Sequence, residues 1–199
     1  HIIVTGNVRV EYFGTYVFTP NRYTPAGVPL TVWTEVGNHY DAAKSVTVKS
    51  EICDGSGSVL KTVESTETVN AGQVHKFVQT TDNLAGPRLW SPDDPYLHTL
   101  KTTVTVGGAV EDTYETPFGI RWVSWPKSET AAAGQNVFKI NDKPVFIKGI
   151  CEYEHNLGMD HAFTDEMVAA SCRMVHSCGF NAFRDAHQPH NLRYYDHWD

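Results

Sequence analysis

Through about residue 125, apolar side chains recur at every second position, a period that admits little besides β-strands. Val8, Val10 and Tyr12 alternate with Asn7, Arg9 and Glu11. The same beat runs through Leu30, Val32, Thr34 and Val36, through Val46, Val48, Ser50 and Ile52, and through Leu100, Thr102, Val104 and Val106. Turn-forming stretches, "TPAGVP", "CDGSGS", "NAG" and "VGG", separate the runs. Short alternating strands with no helical period between them predict an antiparallel β-sandwich of immunoglobulin-like type. The Cys…Trp…Cys spacing of antibody domains is absent.

Near residue 134 the period changes. "NVFKINDKPVFIKG" reads as a tight hairpin, with Asn141 and Asp142 tolerating the positive φ of a two-residue turn. "FIKGICEYE" is expected to be a buried strand. Thr164 is a suitable N-cap, and Asp165 and Glu166 complement the positive end of a helix dipole. Met167, Ser171, Met174 and Cys178 recur at helical spacing beside Val168 and Val175, and Gly179 supplies the stop. "FNAFR" then reads as a second strand and "NLRYYDHWD" as the start of another helix. Strand, helix, strand, helix is a parallel βα pattern. Two such units cannot close a barrel of about 250 residues, so a truncated domain is expected. The opening "HIIVTGNVRV", without an initiator Met, gives the same expectation at the other end.

A formal net charge of −7 offers no Lys/Arg stripe for nucleic acid or an anionic membrane surface. No apolar run approaches the length of about 18 residues that a membrane span needs. The four cysteines are too irregularly spaced for a disulfide framework. Cys172 and Cys178 would stand about 9 Å apart along one helix, too far for a bridge. All four are expected to be free thiols, mostly in the core.

Functional groups in parallel α/β folds gather beyond the C-terminal ends of strands. Two segments meet that description: "CEYEH" at residues 151–155 and "RDAHQPH" at residues 184–190. Convergence from neighbouring strands suits a polar-ligand pocket. Either segment alone is also consistent with an Arg184–Asp185 ion pair and a His187 helix cap. A metal site drawing on His155, His161, His187, His190 and His197 has no Cys pair or HExxH spacing behind it. A nucleophile elbow and a phosphate loop are both missing from the pattern.

Taken in order, "LWSPDDPYLHTLKTTV", "ETPFGIRWV", "FKINDKPVFIKG" and "GFNAFRDAHQPH" resemble the family 2 glycoside hydrolases, the β-galactosidase and β-glucuronidase group. The resemblance runs from about residue 8 to residue 199. It implies a multidomain β plus α/β chain: residues 1–7 as the tail of a jelly roll, 8–125 as the immunoglobulin-like sandwich, and 126–199 as the first βα units of a truncated (β/α)8 barrel. "CEYEHNLGMDHAFTDEM" and "RDAHQPHN" look closer to the bacterial β-galactosidases acting on red-algal galactans, with Asp185 in place of the usual Ser, Thr or Cys.

By that resemblance the parent is a retaining exo-acting β-galactosidase taking a galactose-containing oligosaccharide, without cofactor, metal, nucleic acid or membrane partner. It leaves room for a homo-oligomer and suggests a periplasmic or secreted location. The alternatives are another β-glycosidase of the family, such as a β-glucuronidase, or a non-catalytic carbohydrate-binding or adhesion module. Arg184 would hold the nucleophile ionised, and His187 would contact sugar hydroxyls. Tyr153 stands where relatives often carry a subsite histidine, and Glu152, Glu154 and Asp185 read as substrate contacts or ion-pair partners. The acid/base and nucleophilic glutamates are expected beyond residue 199.

Overall fold

The computed structural model describes residues 3–20, 24, 26–125, 137–154, 162–187 and 189–198. They fall into two compact units, His1–Ser124 with Ile140–Asp142, and Trp125–Lys139 with Lys143–Asp199.

The first unit is the predicted sandwich. Strands β1 (Val8–Phe18), β2 (Thr31–Asn38) and β5 (Val74–Thr80) form one antiparallel sheet in the order β1-β2-β5. Strands β3 (Lys44–Cys53), β4 (Val59–Val69), β6 (His98–Val106) and β7 (Ala109–Phe118) form the other, in the order β4-β3-β6-β7. The alternation read from sequence supplies the inner faces. Val36 and Phe77 from the first sheet pack with Val46, Val48 and Val104 from the second. Leu30 and Val32 pack with Ile52 and Leu100 in an adjoining cluster closed by Leu84 and Ile120. Ser50 and Gln79 bring polar groups into this interior and satisfy each other. Ser50 Oγ donates to Gln79 Oε1 at 2.7 Å, and Gln79 Nε2 donates to Val48 O and Ser65 Oγ, both at 2.9 Å.

Tyr12 does not continue the buried face of Val8 and Val10; it is 67% exposed. The β1–β2 register shifts between Val10 and Thr15, and Phe13 takes a φ of 56° there. A bulge inserts unpaired residues and reverses which face the following side chains occupy. Gly14 is required at this point, since a Cβ would lie 2.7 Å from Glu11 O and 2.9 Å from Glu35 O. Beside the bulge, β1 meets β7: Asp112 Oδ2 accepts the Val10 N–H at 2.9 Å, and the Thr15 and Thr116 hydroxyls lie 2.6 Å apart.

The quoted motifs "LWSPDDP", "PFGIRW" and "FKIND" converge in this unit around Trp90. Trp90 N–H donates to Ile120 O at 3.0 Å, and Asn141 Nδ2 donates to Trp90 O at 2.9 Å. The Arg121 guanidinium lies 4.1 Å from the centre of the Trp90 ring. Asn141 and Asp142, with φ of 50° and 63°, form the expected two-residue turn. Trp122 N–H donates to Asn141 Oδ1, and Trp122 Nε1 donates to Asp142 Oδ2.

The second unit carries the parallel βα pattern. After the short strands β8 (Val123–Ser124), β9 (Lys139–Ile140) and β10 (Lys143–Pro144) come β11 (Gly149–Glu152), α1 (Asp165–Ser177) and β12 (Ala182–Asp185). β11 and β12 pair in parallel, Gly149 opposite Ala182 through Glu152 opposite Asp185. Thr164 caps α1, its hydroxyl accepting the Met167 N–H at 3.4 Å. Gly179, at φ 84°, closes it with an N–H bond to His176 O. Asn181 then fixes the approach to both strands. Its Oδ1 accepts the Lys148 N–H at 2.8 Å, and its Nδ2 donates to Phe146 O at 3.0 Å.

Four readings of this region need correction. "FIKGICEYE" is not a buried strand, because Phe146 is 80% exposed and Ile147 and Cys151 are also exposed. The inner face of α1 centres on Val168, flanked by half-buried Cys172 and Val175, whereas Met174 is 63% exposed and Cys178 is exposed. The apolar stripe of α1 is wide enough for two phases, and the contact with the described residues chose the Val168 side. "NLRYYDHWD" makes a single 3-10 turn, η1 (Leu192–Tyr194), before a further turn. The thiols are free as expected, but Cys53 alone is buried. The other three fall near a strand end, on a half-covered helix and at a helix cap, and among the described residues Cys151 and Cys178 are exposed and Cys172 half-buried. Ile150, Phe180 and Phe183 are only half-buried, consistent with a core that further elements complete.

Candidate functional site

The parallel pairing of β11 and β12 sets the two charged segments side by side at their C-terminal ends. Cys151 lies opposite Arg184 in register, and Arg184 Nη1 donates to Cys151 Sγ at 3.5 Å. Glu152 lies opposite Asp185. Just past the strands, the rings of Tyr153 and His187 approach to 5.4 Å between centroids. Tyr153, Arg184 and His187 are all exposed, so each can reach a ligand. The geometry thus offers a guanidinium, an imidazole and a phenol edge along one strand end.

Asp185 is differently placed. Its Oδ1 accepts the His190 backbone N–H at 3.1 Å and also bonds His190 Nδ1, and its Oδ2 accepts the Tyr195 hydroxyl at 3.1 Å. Burial opposes its ionisation, but the bonds from His190 and Tyr195 outweigh it and hold the carboxyl below the usual carboxylate range. Burial and the same carboxylate push the Tyr195 phenol up. The Arg184–Asp185 ion pair considered from sequence is replaced by these contacts: Arg184 bonds Cys151, and Asp185 turns to His190 and Tyr195.

His190 was visible in "RDAHQPH" only as a metal-ligand candidate. Its side chain is 1% exposed and is packed among aromatic rings, with Phe183 at 5.4 Å, Tyr194 at 4.9 Å and Trp198 at 6.0 Å. The aromatic-dense run after it, "NLRYYDHW", is the signal that could have marked it as buried. Glu154, read from sequence as a substrate contact or ion-pair partner, accepts the Asn191 N–H on Oε1 at 2.6 Å and so ties the end of β11 to the start of η1. Of the remaining histidines in the metal alternative, His197 bonds Asp165 Oδ1 at 3.2 Å, and His155 and His161 lie outside the described residues.

Comparison with known proteins gives these positions a context. Residues 9–121 match the family model for glycosyl hydrolases family 2, and residues 132–199 match the model for the TIM barrel domain of the same family. A β-galactosidase of Bacteroides ovatus is 31% identical over 186 residues, 93% of this chain and 21% of the relative. A β-glucuronidase of Formosa agariphila is 28% identical over 189 residues, 94% of this chain and 18% of the relative. Among solved structures, a β-glucuronidase of Bacteroides uniformis superposes with a TM-score of 0.83 at 22% identity, covering 96% of this chain and 23% of that one. The chain therefore spans about a fifth of the length of these curated relatives. The sandwich is followed by the start of a TIM-barrel domain. With more than half of its residues matched by the first model alone, the chain belongs to the glycosyl hydrolases of family 2.

Proposed function

We propose that this chain supplies the sandwich and the opening barrel strands of a retaining exo-acting β-galactosidase, residues 8–125 being the sandwich and 126–199 the barrel's beginning. The observation that carries the reading is the meeting of exposed Arg184, His187 and Tyr153 at the ends of two parallel strands. A guanidinium fork suits a carboxylate nucleophile and lowers its pKa. An imidazole donates or accepts toward a sugar hydroxyl. Double displacement needs two carboxyl groups about 5 to 5.5 Å apart, and this reading assigns both to glutamates of later barrel strands. The isolated chain is accordingly expected to turn over no aryl β-galactoside.

Galactose is favoured by the Bacteroides ovatus relative and by the "RDAHQPHN" form, which resembles enzymes acting on red-algal galactans. A second reading, a β-glucuronidase, is favoured by the activity of the Formosa agariphila relative. Rates of the full-length protein on aryl β-galactoside and aryl β-glucuronide separate the two. Arg184→Ala should cost about 2–4 kcal/mol in kcat/KM, and His187→Ala should lower kcat/KM because bonds to sugar hydroxyls strengthen in the oxocarbenium-like transition state. A large fall in thermal midpoint with wild-type kcat/KM in both variants would show that these residues are scaffolding.

A further inference from the structure

We infer that Asp185 and His190 are positioning residues that hold the loop carrying His187, and that Asp185 acts through this clasp. The inference rests on the reading of Arg184 and His187 as sugar contacts.

The carboxylate stands at the last residue of β12, and its two oxygens receive three donors from farther along the chain. His190 supplies two of them, its backbone N–H and its ring, and the Tyr195 hydroxyl supplies the third. Residue 187 therefore lies in a short loop closed at both ends by one side chain. A loop so closed loses most of its backbone freedom, leaving an exposed ring at its apex with a defined aim. The clasp is anchored in turn. The His190 ring is seated among Phe183, Tyr194 and Trp198, and the next residue's N–H is bonded by Glu154 from the neighbouring strand end.

The bonding also fixes which nitrogen carries the proton. Asp185, held ionised, is an acceptor only, so the hydrogen lies on His190 Nδ1. Nε2 is buried without a hydrogen-bond partner among the described residues. The imidazole is therefore a structural donor, unlike exposed His187 on the other side of Pro189. Three donors already fill most of the roughly four acceptor sites of the carboxylate.

The test uses the full-length enzyme with an aryl β-galactoside, an aryl β-glucuronide and deoxygenated analogues of the preferred sugar. Asp185→Ala removes the clasp, Asp185→Asn keeps its size without its charge, and His190→Phe keeps the aromatic packing without the Nδ1 donor. Positioning predicts that Asp185→Ala and His190→Phe each lower kcat/KM by about 10–100-fold, the effect of a small misplacement of a contact group. The double variant should be no worse than the poorer single one, because both cut the same link. Both should also lose the discrimination against a deoxygenated analogue that His187→Ala loses, a change that mere destabilisation would not produce. Asp185→Asn, with its near-native shape, keeps the test usable if the alanine variant fails to fold. Wild-type kcat/KM in folded His190→Phe, or fully additive losses in the double variant, would overturn the clasp. If His187→Ala and Arg184→Ala are impaired but the clasp variants are not, this inference alone fails. If none is impaired, the proposed sugar site fails with it.

Discussion

Gly119 in the "PFGIRW" motif should be intolerant of even a methyl group. A Cβ built there falls 2.7 Å from Trp90 Cβ and Cγ and 2.9 Å from Cδ1. Ordinary carbon contacts lie near 3.5–4.0 Å, so about 1 Å of movement is needed. Trp90 is poorly able to give it, because its N–H is bonded to Ile120 O and its carbonyl to Asn141 Nδ2. Overpacking of this kind costs about 1–3 kcal/mol. Tilting the ring away from Arg121 would forfeit a stacking contact of about 0.5–1 kcal/mol more. Gly119→Ala should therefore lose about 1.5–4 kcal/mol, a large part of the 5–15 kcal/mol typical of a domain. Urea denaturation followed by far-ultraviolet circular dichroism measures it without relying on Trp90 as the reporter. The cause is checked in a Trp90→Ala background, where only the Cβ contact survives and the same substitution should cost less than half as much. Stability within about 0.5 kcal/mol of wild type, or an equal cost in both backgrounds, would refute the close-approach argument.

Two further outcomes concern the sandwich interior. Gln79→Ala should cost about 2–4 kcal/mol in the same urea experiment, since it strands the fully buried Ser50 hydroxyl, and adding Ser50→Ala should recover part of the loss. Burial pushes the His98 imidazole down, with a smaller opposing pull from Asp54, so the folded state resists the proton that the unfolded chain takes up near pH 6.5. Its stability contribution is complete above that value and falls with pH below it, by at most about 1.4 kcal/mol per pH unit. His98→Phe should flatten the stability profile from pH 6.5 downward, and an unchanged slope there would sink the assignment.

What could be read from the sequence depended on whether one local rule decided the outcome. The period of two identified the faces of β2, β3 and β6 because each is a central strand whose inner side chains meet the opposite sheet. It failed at Tyr12, where residues 11–14 form a bulge and only the β2 register reveals the slip. Thr164, Gly179 and the Asn141–Asp142 turn were legible because caps and tight turns are set by a few adjacent residues. The face of α1 was not, since its apolar positions span more than one stripe and the neighbours choose between them. At the candidate site, topology alone predicted that residues 151–155 and 184–190 would be brought together at adjacent strand ends. The Asp185–His190 contact was hidden because it depends on the path of the loop through Pro189 and on the aromatic seat built by Phe183, Tyr194 and Trp198.

The motifs that carry the resemblance do two different jobs, and this bears on what the resemblance can predict. "LWSPDDP", "PFGIRW" and "FKIND" supply Trp90, Gly119, Arg121 and Asn141, which lock one another by close approach, stacking and backbone bonds. That knot belongs to the sandwich unit, and these contacts include none of the proposed sugar-contact residues. Relatives with β-galactosidase and β-glucuronidase activity match the chain at similar identity, as expected when much of the shared signal is scaffold. In "RDAHQPH", Arg184 and His187 are exposed at the end of β12. Within it, Arg184, on the proposed reading, would serve chemistry common to retaining glycosidases, because a guanidinium suits a carboxylate nucleophile whichever sugar it attacks. On the same proposal, discrimination between sugars would lie with the groups that meet their hydroxyls, and on this chain that role would fall to His187, Tyr153 and the clasp that aims the His187 ring.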